Sequence, residues 1–278
     1  MPDGHLAAPV TTGGYIGSQI DASRPNIARV YDYLLGGKDN FEADRELGEK
    51  IKKAMPGVRL GVEQQRAVLR RVVRHLVGEA GIRQIIDIGS GLPTAGNVHQ
   101  VAQEVAPGTR VVYVDHDPVV LAHARALMAD NETTIAIDGD ARRPAEILAD
   151  PELNRLIDRD QPIGLLLCGI LHHILDDEDP AGITAAYRAA LPAGSYVFIH
   201  HLVASDDPTV AAAQAELRQG TGRGQFRPIA QIEQFFESLE LVAPGIVSAT
   251  EWRPQPDTPH VDTHPVLRLA VVGVGRKP

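Results

Sequence analysis

Residues 84–97 read QIIDIGSGLPTAGN. A short β-branched run, interrupted by one acid and stopped by two glycines, predicts a buried strand that turns tightly into a helix. The same texture recurs in RVVYVD (110–115), TTIAID (133–138), IGLLLC (163–168) and SYVFIHH (195–201). The segments linking these runs, beginning near Ala95, Pro118, Arg143 and Pro180, are each long enough for a crossover helix. Five β-α units in succession predict an α/β fold, a mostly parallel sheet flanked by helices. Beyond Asp206 the pattern gives a helix near 209–219, a TGRGQFRP loop, a helix at about 229–238 and the strand ELVAPGIVSA. The run VLRLAVVGVG follows about twenty residues later, with no helical pattern between. These last two strands should therefore pair antiparallel, putting one reversed strand into a sheet of seven.

Upstream of Gln84 the texture is helical. Residues 1–22 lack periodicity and read as a flexible arm. Ser23 is placed to cap a first helix, with Pro25 in its first turn and Gly36-Gly37 closing it; a second runs from about Glu42 to Met55 and stops at Pro56-Gly57. In the third, Val68, Leu69, Val72, Val73, Leu76 and Val77 share one face, and the arginines around Arg66 to Arg74 read as a solvated one. The chain thus divides into an arm (1–22), a helical cap or lid (23–81) and a ligand-binding α/β domain (82–278).

Composition narrows the function. Of 278 residues 44% are apolar and 23% charged, a globular balance, and a net charge of −9 speaks against a phosphate-backbone partner. Nucleic acid is thus not expected. Cys168 is the only cysteine, which rules out an internal disulfide or a cysteine metal cluster and suits a reducing cytoplasm. The start MPDGHLAAPV has no secretory pattern, and nothing approaches the roughly 18 apolar residues of a membrane span.

Chemistry collects at the strand ends. Gly89 and Gly91, with Ser90 between them, let the backbone approach a ligand, and Thr94 can cap the helix behind. Asp87, two residues before the turn, suits an ammonium group and would repel a pyrophosphate. Asp115 ends the second strand, where a carboxylate can accept from both ribose hydroxyls, with His116 and Asp117 just beyond. Asp140, after the third strand, can accept from an exocyclic amine, and Ala141 offers a backbone N–H to a ring nitrogen. Three acids on three successive strands would match an amine, a ribose and an adenine.

The motifs DIGSG, YVDHDP, GDARRP and LHHILDDEDPAGITAAYRAALPAGSYVFIHH resemble those of class I S-adenosylmethionine-dependent methyltransferases. The opening RPNIARVYDYLLGGKDNFEAD, with FRPIAQIEQFF, LVAPGIVS and EWRP, is similar to an actinobacterial S-adenosyl methyltransferase family of undefined substrate. The resemblance runs from about Ser23 to the C-terminus and implies a Rossmann-like methyltransferase sheet with its last strand antiparallel. It also implies that Asp87 and the Gly89–Gly91 turn hold the methionine part of S-adenosylmethionine, Asp115 the ribose, and Asp140 with Ala141 the adenine. Cys168 and Gly169 would lie beside the methionine. Pro93 stands where the common loop has a third glycine, which stiffens the turn. Thr94 occupies the place of the third glycine in the NAD fingerprint.

His172 and His173 follow the fourth strand, and His200 and His201 end the fifth. Neighbours along a strand point opposite ways, so one of each pair should face the crevice, where a histidine could take a proton from an acceptor. No metal-ligand spacing accompanies them, and Cys168 reads as a small buried thiol. In NIARVYDYLLGGKDNF (26–41), Tyr31, Tyr33, Lys38, Asp39, Asn40 and Phe41 crowd a helix stop, which makes the stretch a candidate lid over the site. The expectation is a cytoplasmic enzyme that moves the methyl group of S-adenosylmethionine, leaving S-adenosylhomocysteine, to an oxygen, nitrogen or carbon of a small molecule. Its rivals are an NAD-dependent oxidoreductase and an S-adenosylmethionine-binding protein without turnover.

Overall fold

The computed structural model describes residues 20–93, 96–128 and 131–278. The expected arm (1–22) therefore lies outside the described residues except for 20–22, and Thr94 lies outside them as well. Three helices, α1 (Ile27–Leu35), α2 (Glu42–Ala54) and α3 (Val58–Gly78), precede strand β1 (Gln84–Ile88). Then follow α4 (Val98–Val105), β2 (Arg110–Asp115), α5 (Pro118–Leu127), β3 (Thr134–Asp138), α6 (Pro144–Ala149), α7 (Pro151–Leu156) and β4 (Gly164–Cys168). The C-terminal part holds α8 (Pro180–Ala190), β5 (Tyr196–Leu202), α9 (Pro208–Thr221), α10 (Ile229–Gln234), β6 (Glu240–Leu241), β7 (Val247–Ser248) and β8 (Ala270–Arg276).

The strands form one mixed sheet in the order β3-β2-β1-β4-β5-β8-β6, with β7 also paired to β8. Strands β1 to β5 are parallel, and β8 runs antiparallel to β5, β6 and β7. The reversed strand is where the sequence puts it. The expected sixth strand over 240–249 is instead two short pieces, giving eight strands among the described residues. Between them Pro244 has no N–H to donate, and Gly245 turns the chain at φ 90° with its N–H on Val242 O. The last run also starts late, at Ala270, because Pro265–Arg268 forms a 3-10 turn.

Alternation along the strands sorts two cores. Ile86, Ile88, Val112, Val114, Leu165, Leu167, Val197 and Ile199 pack on one face, with Ile147, Leu153 and Tyr187 from the helices beyond. Ile85, Val111, Tyr113, Leu166 and Phe198 pack on the other, against Val68, Leu69, Val72, Val73 and Leu76 of α3. Both faces being covered explains why the strands are apolar almost throughout. The same parity puts Asp87, Asp115, Cys168 and His200 on the α3 face, and sends His201 to the other.

Helices α1, α2 and α9 close over this face. Val30, Leu34, Leu47, Ile51, Val62, Val210, Leu217 and Phe226 form their common core. The N-cap of α1 is Asn26, whose side chain accepts from Ala28 N, rather than Ser23, which bonds Asp21. A buried ionic group ties this cap to the sheet: Arg29 Nε lies 2.9 Å from Asp44 Oδ2, and its Nη1 lies 3.7 Å from Asp117 Oδ2. Asp117 in turn caps α5 through the N–H groups of Val119 and Val120.

Candidate active site

The sheet order reverses between β1 and β4, and ligands of such sheets bind beyond the strand ends at that switch point. A cavity of about 200 Å³ lies there, reaching from the β1 and β2 ends under α1, α2 and α9. Gly89 and Gly91 turn the chain at its edge with φ of 69° and 67°. A Cβ on Gly89 would meet Ile170 at 2.6 Å, whereas one on Gly91 would meet nothing within 4 Å. The amides of this turn are already taken: Gly89 N and Ser90 N donate to Val114 O, and Gly91 N donates to Asp115 Oδ2.

Asp87 is buried at the lip of the cavity, and its carboxylate accepts no hydrogen bond from the described residues. Burial pushes its carboxyl up to about 7, the Arg66 guanidinium pulls it down, and Asp115 pushes it up again. Arg66 lines the same end of the cavity, with Nη2 on Leu92 O. This arginine is therefore not on the solvated face expected of the α3 arginines. Arg66 lies four residues after Val62 and three before Leu69, on the apolar stripe of α3, and that spacing was the signal that marks it as inward-facing. Arg71 is also buried, donating to Trp252 O and Ala249 O.

Asp115 is buried and accepts from Gly91 N and Asp117 N. Burial raises its pKa while those two amides lower it. His116, mostly exposed, lines the mouth of the cavity beside it. Ala141 lines the wall with Gly139, and its carbonyl accepts from Tyr187 Oη. Asp140 is not among the lining residues. Its carboxylate takes Arg142 Nε and Nη2 at 2.8 and 2.5 Å as well as Arg142 N. Burial pushes its pKa up, but these bonds hold it below the usual value.

Cys168 and Gly169 line the cavity opposite α3, with Gln65 Nε2 3.7 Å from Cys168 Sγ. Burial pushes this thiol up to about 12, which makes it inert. His172, His173 and His200 all line the cavity, while His201 points away, its Nδ1 donating to Leu202 O and its Nε2 accepting from Arg227 Nη1. Both ring nitrogens of His200 and the Nδ1 atoms of His172 and His173 are buried without a hydrogen-bond partner among the described residues. Burial lowers all three, His173 and His200 to about 4 and His172 well below its ordinary value, so they are neutral imidazoles at pH 7. The loop carrying two of them is clamped by buried Arg227, which donates to Leu171 O, Ile174 O and Asp176 Oδ1. Gln225 N completes the clamp on His172 O.

Tyr31 lines the cavity with its hydroxyl on Val62 O, and Arg66 stacks over its ring. Tyr33, Asp39 and Asn40 are not among the lining residues. Tyr33 bonds Glu49 beneath Lys52, and the GGKDN turn wraps the buried Asp32 carboxylate, which accepts from Asp39 N and Asn40 Nδ2. A Cβ on Gly37 would meet Asp32 Oδ1 at 1.9 Å, so this glycine is needed for the turn itself.

The model of a family described as S-adenosyl methyltransferase matches residues 15–278. A methyltransferase candidate from Thermobifida fusca is 45% identical, with a TM-score of 0.89 over 92% of this chain and 96% of its own. A DUF574 family protein from Streptomyces avermitilis is 39% identical, with a TM-score of 0.87 over 93% and 99%. An O-methyltransferase family protein from Burkholderia thailandensis shares the fold at 15% identity, with a TM-score of 0.53 over 96% and 73%. Among curated proteins nothing matches the chain.

Proposed function

Since the chain belongs to the S-adenosyl methyltransferase family, we propose that it takes S-adenosylmethionine as donor and methylates a small molecule held under α1, α2 and α9. The observation that carries this reading is the pairing of Asp87 with Arg66 at one end of the cavity. A buried carboxylate that accepts no hydrogen bond from the described residues and a nearby guanidinium are together the complement of an amino-acid group, the first for an ammonium and the second for a carboxylate. Asp115 keeps lone pairs free for ribose hydroxyls, and Gly139, Ala141 and His116 form the wall for the adenine. Asp140, saturated by Arg142, shapes the loop rather than reading the base.

When bound, S-adenosylmethionine supplies an electrophilic methyl group on a sulfonium. This chain's contribution is to hold an acceptor close to that methyl and exclude water, which can supply most of the rate for an already activated donor. Cys168 and Gly169 flank the methionine, and His172, His173 and His200 are the groups placed to touch the acceptor. The free thiol suits a cytoplasmic setting. The NAD reading has no support here, because the turn amides that would cradle a pyrophosphate are taken and two acids face the site.

Titration calorimetry with S-adenosylhomocysteine and with NAD decides the matter. S-adenosylhomocysteine should bind at micromolar concentration or below and NAD should not; the reverse result would falsify the reading.

A further inference from the structure

The two ends of the cavity differ in kind. Its formally charged lining residues are Arg66, Asp87 and Asp115, and all three sit at the strand-end lip assigned above to the donor. Asn26, Gln65, Ser90 and His116 add further polar groups to the lining, while the part of the wall under α1, α2 and α9 is largely aliphatic or aromatic, from Val30 and Leu34 through Ile51 and Met55 to Leu217 and Phe226. Between the two ends stand the imidazoles of His172, His173 and His200, all neutral and with buried ring nitrogens that none of the described residues satisfies.

Resting on the donor reading above, we infer that the methyl acceptor is an uncharged, largely apolar molecule that presents a hydroxyl group to His200, so that methylation is on oxygen. An acceptor carrying a carboxylate would lose its hydration without meeting a free cation, since the lining guanidinium belongs to the donor end. An ammonium would lack an anion for the same reason, since the lining carboxylates belong to the donor end. A carbon nucleophile would leave the ring nitrogens unsatisfied. A hydroxyl can donate to one unshared imidazole nitrogen and accept from an imidazole N–H, which is the need that His200 and its neighbours present. His200 is the firmest of these groups: it is 1% exposed, it sits in register with Cys168 on the β4-β5 pair, and both of its ring nitrogens lack hydrogen-bond partners among the described residues. In the transfer, a hydroxyl lone pair forms the O–CH3 bond as the donor's S–CH3 bond breaks. The electrons of that bond stay on sulfur, leaving a neutral thioether, and the hydroxyl proton passes to the imidazole and then to water.

The test uses a matched set of probes on protein saturated with S-adenosylhomocysteine: 1-naphthol, naphthalene, 1-naphthoate and (1-naphthylmethyl)ammonium, with affinities read by calorimetry. Naphthol should bind about tenfold tighter than naphthalene and at least about a hundredfold tighter than either charged analogue. His200→Leu should abolish the naphthol preference over naphthalene, and His200→Gln, which keeps a donor and an acceptor, should retain part of it. The inference is overturned if a charged analogue matches naphthol, if naphthol shows no advantage over naphthalene, or if that advantage survives His200→Leu. S-adenosylhomocysteine binding without any hydroxyl preference refutes this inference alone, whereas no S-adenosylhomocysteine binding refutes the reading beneath it.

Discussion

The two ends of the cavity are built in opposite ways. The strand-end lip takes its polar groups from short local motifs: Asp87 and the glycine turn lie within five residues, and Asp115 stands one strand over. The apolar chamber is assembled from helices separated by up to about 190 residues of chain, with Val30 and Leu34 meeting Leu217 and Phe226. One end is set by backbone geometry that a few residues encode. The other exists only after the whole chain has packed, so its composition can vary without disturbing the lip.

That contrast can be attacked first at the joint between the two. Arg29→Ala leaves Asp44 buried without its cation and removes the cap's tie to Asp117. Breaking a buried pair from one side costs about 3–5 kcal/mol, and a thermal melt should show it as a large drop in Tm. An unchanged Tm would mean that the cap holds to the sheet by apolar packing alone. Next comes the lip itself. Asp87→Asn removes the proposed partner of the ammonium and should weaken S-adenosylhomocysteine by about a hundredfold, or about 2.7 kcal/mol, while the naphthol preference in the chamber persists at saturating ligand. Loss of both together would make the cavity one site rather than two.

The pH dependence gives a smaller but sharper version of the same test. Burial holds the Asp87 carboxyl up to about 7 in the free protein. An ammonium needs the ionised form, so affinity should be full above pH 7 and fall by up to about tenfold per unit below it. The stability sign is opposite: a folded pKa above the unfolded one means that the free protein loses this group's contribution as pH rises from about 4 to 7. Asp87→Asn should flatten both profiles, and a wild-type affinity profile flat between pH 5.5 and 7.5 would remove Asp87 from the ligand.

Legibility in the sequence follows the same division. The five β-α units, the reversed strand and the acids at the strand ends were readable, because each depends on local periodicity and on residues a few positions apart. Less legible is the surrounding of Asp140, whose carboxylate is held by Arg142 only two residues away. Arg66 was missed although its spacing from Val62 and Leu69 places it on the inward stripe. Tyr33, Asp39 and Asn40 looked like a lid because aromatic and polar groups crowd a helix stop, and the reason for the crowding is buried Asp32, around which the turn folds. Nothing local in α9, or in the Phe226-Arg227 segment that clamps the histidine loop, announces a place beside α1. Such contacts depend on tertiary packing.

A crystal structure of the protein with S-adenosylhomocysteine tests the division of the cavity most directly. The amino-acid group should lie between Asp87 and Arg66, the ribose on Asp115, and the thioether sulfur toward His200, with the apolar chamber beyond it left to the acceptor. An adenine found among Leu34, Ile51 and Leu217 would contradict that arrangement.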